Sequence, residues 1–199
     1  MFKTLFGQYN IEIVDDNYSV GSVDNRSSYD VIYIHPEDDA YCPTSSCGIA
    51  VNADGLRKAA IILANGGATR VGPNSALIDG ENLVLICCNK VFCLHLPDLV
   101  LNWVIKADVA TCFGIYQYEL SYIIHGETAI TRLGQFGNIV WQVGARDIFV
   151  NIEHSGPEFE MNDEYIQLMD WQGYRYKLYY DGAIVDNGIG SLIEKKNNT

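Results

Sequence analysis

Two stretches of this sequence, 83–103 and 122–141, each run from clustered aliphatic and β-branched residues through a short polar break to a tryptophan. The two tryptophans, Trp103 and Trp141, stand 38 residues apart. Apolar runs and polar breaks that recur at such a distance mark repeated β-sheet units, each completed by stacking on the next. The expected fold is therefore all-β, built from consecutive antiparallel hairpins.

Period-two alternation and turn residues predict the individual strands. Candidates are Tyr9 to Val14, Tyr29 to Ile34, Gly48 to Val51, Ser75 to Ile78, Leu83 to Cys88, Val91 to Leu94 and Val100 to Ile105. They continue as Tyr118 to Ile124, Ala129 to Leu133, Ile139 to Val143, Asp147 to Ile152, Tyr165 to Met169, Tyr174 to Tyr180 and Ala183 to Val185. Asp79-Gly80, Asn89-Lys90, Gly126-Glu127, Phe136-Gly137-Asn138 and Asp181-Gly182 supply turns between them. Leu56 to Ala64 is ambiguous: its alanines suit a helix stopped at Gly66-Gly67, while Ile61-Ile62 and the surrounding hairpins favour a strand, which is the reading taken.

The segments LIDGENLVLICCNKVFCLHLPDLVLNW and IIHGETAITRLGQFGNIVWQVGARDIF resemble the blade strands of bacterial quinoprotein-type or WD-like propellers. They also resemble a group of bacterial cytosolic proteins with FCLHLPDL-like, HGE, GNI, W and RDIF elements. The resemblance implies an all-β core with propeller-like repeat character, which an incomplete propeller, a β-sandwich or a strongly curved sheet would satisfy, and it carries no activity and no catalytic residues. Two copies are clear, and Tyr165 to Asp186 forms a divergent third. No quinone-site signature and no complete WD motif accompanies them, so no cofactor is expected.

With 199 residues, 48% of them hydrophobic, the chain is long enough to bury a substantial core. Residues 1–193 are expected to form one β-rich domain, followed by a polar tail at 194–199. Met1 to Tyr9 lacks the apolar run of a secretory signal, and the most hydrophobic region is broken by Asp79, Glu81, Asn89, Asp98, Asn102, Lys106 and Asp108. The expectation is a cytoplasmic chain without a membrane span. Its formal charge of -12 disfavours nucleic acid and favours a basic protein partner. Acidic residues gather at Asp15, Asp16, Asp24, Asp30, Glu37, Asp38 and Asp39, and again at Glu153, Glu158, Glu160, Asp163 and Glu164. Cys87, Cys88, Cys93 and Cys112 lie in apolar surroundings and read as reduced core residues, while Cys42 and Cys47 are the better redox candidates.

Among side chains able to do chemistry, His125 and Glu127 flank a glycine turn as an imidazole and a carboxylate. They are the candidate acid–base pair of a hydrolase, against the plainer reading of a structural hairpin. Arg146, Asp147 and Arg132 are candidate ligand contacts. His35, His95 and His154 show no metal-ligand spacing, so no metal site is expected, although convergence with Asp98 or Glu127 would build one. Tyr174, Tyr176 and Tyr180 are candidate partner anchors, and Trp103, Trp141 and Trp171 are expected to pack in the core or form an aromatic face. The preferred function is a cytosolic interaction protein that neutralises a basic partner, for example a nuclease-like toxin. A small-molecule-binding protein or a hydrolase is the alternative, and a structural role by self-association through an apolar patch is the third reading.

Overall fold

The structure is a computed structural model describing residues 1–189 other than 24, 26, 27, 54, 68, 69, 152 and 153. The expected tail at 194–199, Asp24, Glu153 and the end of the strand predicted at 147–152 fall outside the described residues. Every helix or strand among those residues is a strand. The first sheet comprises β1 (Phe2–Phe6), β2 (Tyr9–Asp15), β3 (Val31–Ile34), β4 (Ser45–Ala53) and β5 (Leu56–Ala64), in the order β1-β2-β4-β5-β3. Only β3 runs parallel to its neighbour β5.

Three four-stranded antiparallel meanders follow, each in chain order. The second sheet holds β6 (Ala76–Asp79), β7 (Asn82–Cys87), β8 (Lys90–His95) and β9 (Leu101–Lys106). The third holds β10 (Cys112–Tyr118), β11 (Ser121–Gly126), β12 (Ile130–Gly134) and β13 (Ile139–Val143). The fourth holds β14 (Phe159–Met161), β15 (Tyr165–Met169), β16 (Tyr174–Tyr179) and β17 (Ile184–Ile189). The all-β expectation of consecutive hairpins holds, in an open arrangement of the propeller or sandwich kind.

Side-chain alternation decides how the sheets stack. In the second sheet Leu83, Leu85, Phe92 and Leu94 pack with Ile11, Ile13, Ile49 and Ile62 of the first. Their chain neighbours Val84, Ile86, Val91 and Cys93 point the other way, against Ile115, Tyr122, Ile124 and Leu133 of the third. The third sheet repeats the device, turning Ile123 and Ile130 toward Ile166, Leu168, Tyr176 and Leu178 of the fourth. Because each inner sheet is apolar on both faces, it requires a neighbour on each side, the condition the repeat pattern imposes.

Trp103 and Trp141 explain the spacing between them. Each lies on the fourth strand of its sheet and donates its indole N–H to a turn carbonyl of the next sheet. The acceptors are Gln135 O for Trp103 and Tyr180 O for Trp141, both at 3.0 Å. The two acceptor turns are built alike, with Gly137 N donating to Gly134 O and Gly182 N to Tyr179 O. Gly137 has φ +79° and Gly182 φ +95°, and a Cβ there would stand 2.8 Å and 3.0 Å from the indole it abuts. Glycine is thus required twice, for left-handed backbone and for close approach of a ring. Trp171 stands apart from this pair, in the β15–β16 connection and 45% exposed.

Two buried charged groups, Asp108 and Lys90, close further seams, and both are partnered as burial demands. Asp108 accepts hydrogen bonds from the backbone N–H of Ala110, Thr111, Thr128 and Ala129 and from Thr128 Oγ1, at 2.7–3.2 Å. Lys90 Nζ, buried at the β7–β8 turn, contacts Asp38 Oδ1 at 2.9 Å, Asn65 O at 3.0 Å and Asn89 Oδ1 at 2.7 Å. That ammonium ties the second sheet to the connection after β3.

The predicted strand at Leu56 to Ala64 is β5 over that same range. The run from Asp147 toward Ile152 is not a strand over its described part. It spends single bonds on both sides, Phe149 N to Glu127 O and Trp171 N to Ile148 O, and inserts Phe149 between the third and fourth sheets.

Candidate functional site

The second and third sheets pack face to face. On the face the second sheet turns to the third, the inner rungs are apolar, with Leu77, Val84, Ile86, Val91 and Ile105. The outermost rung is polar: Asp79 pairs with Asn82, and Asn82 with His95. Beyond the edge of the packed core this face opens into a cleft of about 730 Å³. It is lined by Asp79, Glu81, Asn82, Cys93, His95, Asn102 and Trp103 of the second sheet and by Gln135 and Phe136 of the third. The volume lies within the range of roughly 300–1,000 Å³ usual for ligand pockets.

Hydrogen bonds preset the polar wall. Tyr122 OH donates to Asp79 Oδ2 at 2.8 Å and Gln135 Nε2 approaches the same oxygen at 3.4 Å. Burial, reinforced by the Asp79 carboxylate, raises the Tyr122 phenol above its usual range, so it remains a donor. Asn102 Nδ2 donates to Asn82 Oδ1 at 2.8 Å, which uses a donor of one amide and the acceptor of the other. His95 Nδ1 lies 2.8 Å from Asp98 Oδ1, and its Nε2 is 3.7 Å from Glu81 Oε2. The hydrogen bond to Asp98 raises the imidazole from its ordinary value and lowers the aspartate in return. Glu81, with its side chain 77% exposed, and Phe136, 87% exposed, form the outer lip.

The next seam has the same construction, with a guanidinium at the corresponding place. Cys93 faces Trp103, with the register shifting just beyond, and Arg132 faces Trp141 with the same shift. Where the second sheet places a small thiol, the third therefore places a guanidinium. Arg132 donates to Tyr180 O at 2.8 Å and to Ser121 Oγ at 3.0 Å, stands 5.0 Å over the Tyr118 ring, and lies 3.6 Å from Glu119. Tyr118 stacks on Tyr180 at 3.8 Å. Bulk at the position opposite the tryptophan, together with these two phenols, fills the space left open one seam earlier.

The residues singled out in the sequence fall elsewhere. His125 is 4% exposed on β11, its ring stacked on Phe159 at 4.6 Å and edge-on to Phe113 at 5.3 Å. Burial drives its pKa down to about 4, against smaller opposing effects of Glu158, the Phe149 backbone and Asp108. Its Nε2 is buried and has no hydrogen-bond partner among the described residues. Glu127 is half-buried, with its backbone N–H donating to Thr111 O and its carbonyl accepting from Phe149, each at 2.7 Å. The pair thus sits in a hairpin pinned by Asp108, with the imidazole turned into the seam between the third and fourth sheets.

Arg146 pairs with Asp186 at 2.7 Å and covers Tyr174 at 4.5 Å, whereas Asp147 accepts from Ile148 N and Gln172 Nε2. These two adjacent charges therefore serve different neighbours. Arg132 is engaged within the chain as described. Tyr176 and Tyr180 are 4% and 8% exposed, donating to Asp170 Oδ2 and Asn162 O at 2.6 Å each, so they are core phenols and not surface anchors. Tyr174 is half-buried beneath Arg146.

Of the histidines considered for a metal, His95 does meet Asp98. Among the described residues, however, no group of three or more His, Cys, Asp or Glu side chains has the arrangement to hold an ion. Cys47 is buried with its thiol pushed up to about 12, chiefly by burial and then by Asp15, while Cys42 is exposed.

No protein-family model matches the sequence, and no curated protein matches it. Among solved structures, BamB from Moraxella catarrhalis aligns with 69% of this chain at 15% identity and a TM-score of 0.46. The AfRom2 CNH domain aligns with 73% at 11% identity and 0.41. BBS1N, in its complex with ARL6DN, aligns with 74% at 6% identity and 0.34. The chain covers 42%, 50% and 62% of those three chains respectively.

Proposed function

We propose that this chain is a binding module that recognises a basic protein through the cleft between its second and third sheets. The observation that carries the reading is the cleft's own chemistry. Two carboxylates, Asp79 and Glu81, stand beside Trp103 and an exposed Phe136, and no lysine or arginine is among the described lining residues. Aromatic area at a charged rim is the composition of an interaction surface, and the net charge of -12 would steer a cation toward it. A hydrolase centred on His125 and Glu127 finds less support, since the imidazole is enclosed by two phenylalanines.

The test is affinity capture with the tagged chain and with Glu81→Lys and Phe136→Ala, followed by native mass spectrometry. The expected result is a stoichiometric basic protein whose retention falls about tenfold or more in each variant and weakens with salt. Recovery of the chain with only a small bound mass, or a protein held equally by all three forms, overturns the reading.

A further inference from the structure

We infer that the cleft is a guanidinium socket, so that the partner presents an arginine there; the inference rests on the reading just given and specifies its ligand. The molecule supplies its own template. Paired positions align the two seams: Asp79 opposite Asn82 corresponds to Tyr118 opposite Ser121, and Cys93 opposite Trp103 corresponds to Arg132 opposite Trp141. The turn residues that follow, Gly80 and Glu119, share positive φ values of 58° and 50°. Gln135 and Tyr180 occupy the same place in matching turns and each accepts the indole N–H. In the later seam the space enclosed by these positions holds a guanidinium, that of Arg132, with a carboxylate, a hydroxyl, a turn carbonyl and an aromatic ring around it.

In the earlier seam the same space is open, and its walls fit a cation from outside better than they would fit one from within. Tyr118 is replaced by the carboxylate of Asp79 and Ser121 by the amide of Asn82, while Glu81 adds a second carboxylate at the lip. Asp79 uses Oδ2 for Tyr122 and Gln135, and a planar fork of donors can bridge a carboxylate while stacking on an indole, which a compact ammonium cannot do. The resident competitor is His95, whose Nε2 lies 3.7 Å from Glu81 and whose Nδ1 is engaged by Asp98. At about 730 Å³ the cleft exceeds one side chain and admits part of the segment bearing it.

The experiment follows the Trp103 indole N–H resonance, assigned with Trp103→Phe, during titration of the full chain with N-acetyl-arginine amide and N-acetyl-lysine amide. The arginine probe is expected to shift that resonance saturably, with the lysine probe about tenfold weaker or more. Glu81→Gln, at an exposed position, is expected to weaken the arginine probe severalfold. Cys93→Arg, which installs the later seam's own filler, is expected to abolish binding, and the amide spectrum of each variant reports its fold. Equal affinity for the two probes, or an unchanged affinity in folded Cys93→Arg, overturns the guanidinium assignment and leaves the basic-partner reading standing. No response to either probe overturns the assignment, and loss of the Glu81-dependent capture would remove the broader reading as well. A glycine-flanked arginine pentapeptide binding more tightly than free arginine identifies protein-borne arginine; the reverse keeps the socket and removes the protein partner.

Discussion

Replacing His125 with phenylalanine should change how stability depends on pH, by an amount the structure sets. In the folded chain the imidazole is held neutral down to about pH 4, against an ordinary value of 6.5. The unfolded chain therefore binds the proton first as the pH falls, and the stability associated with neutral His125 is complete above pH 6.5 and is lost toward pH 4. A gap of about 2.5 pH units at about 1.36 kcal/mol each gives a loss of about 3 kcal/mol by pH 4. Glu158 and Asp108 act in the opposite direction and are already included in the lowered value.

His125→Phe keeps an aromatic ring between Phe113 and Phe159 and removes the buried Nε2. Urea denaturation of both proteins across pH 4 to 7.5 cancels the acidic groups they share. The variant should gain about 3 kcal/mol on the parent between the two ends of that range. A difference that stays constant with pH would show that the imidazole is not closed off from water, and would return His125 to the list of possible catalytic groups.

Two further outcomes follow from the seams. Asp38→Ala leaves the Lys90 ammonium buried without its counter-charge and should cost about 3–5 kcal/mol in denaturant unfolding; a cost below about 1 kcal/mol would mean that water reaches that ammonium. Gly137→Ala and Gly182→Ala place a Cβ against an indole in left-handed backbone and should each cost about 1–3 kcal/mol. Only Gly137→Ala should also displace the Trp103 indole resonance, and equal displacement of Trp103 by both would refute the separate acceptor turns.

The hairpin strands were legible wherever alternation ran unbroken, as at Ile139 to Val143 and Tyr165 to Met169, which the structure reproduces at the same bounds. Three strands escaped. Phe2–Phe6 alternates correctly and reads as an N-terminal fragment of little weight. Cys112–Tyr118 is interrupted by Gly114 at a bulge, and Phe159–Met161 has three residues, too few for a period to show. Conversely, 147–152 carries a strand-like composition, and its apolar content serves a single inserted ring, Phe149.

The site was less legible than the fold because two sheets build it. Asp79, Asn82, Cys93 and Trp103 belong to one meander, Gln135 and Phe136 to the next, and nothing local announces that they meet. A clue was nonetheless present in the repeat itself. Setting Trp103 over Trp141 puts Cys93 over Arg132 once a one-residue register shift is allowed, and a small residue in place of a large one marks missing volume. His125 and Glu127 drew attention by their chemistry, but a hairpin turn gives no warning that its imidazole lies beneath a strand, β14, more than thirty residues downstream in the chain.

The indole hydrogen bonds of Trp103 and Trp141 both point downstream along the chain, and that direction matters on the ribosome. Trp103 waits for an acceptor 32 residues downstream and Trp141 for one 39 residues downstream. At roughly 5–20 residues per second, either interval lasts about two to eight seconds, whereas a hairpin closes in roughly 1–10 μs. Each meander can thus form long before its indole has anywhere to donate. Throughout translation of this region the emerging chain carries one unfinished face, always turned toward the sheet not yet made, and the order of assembly is set by the rate of synthesis.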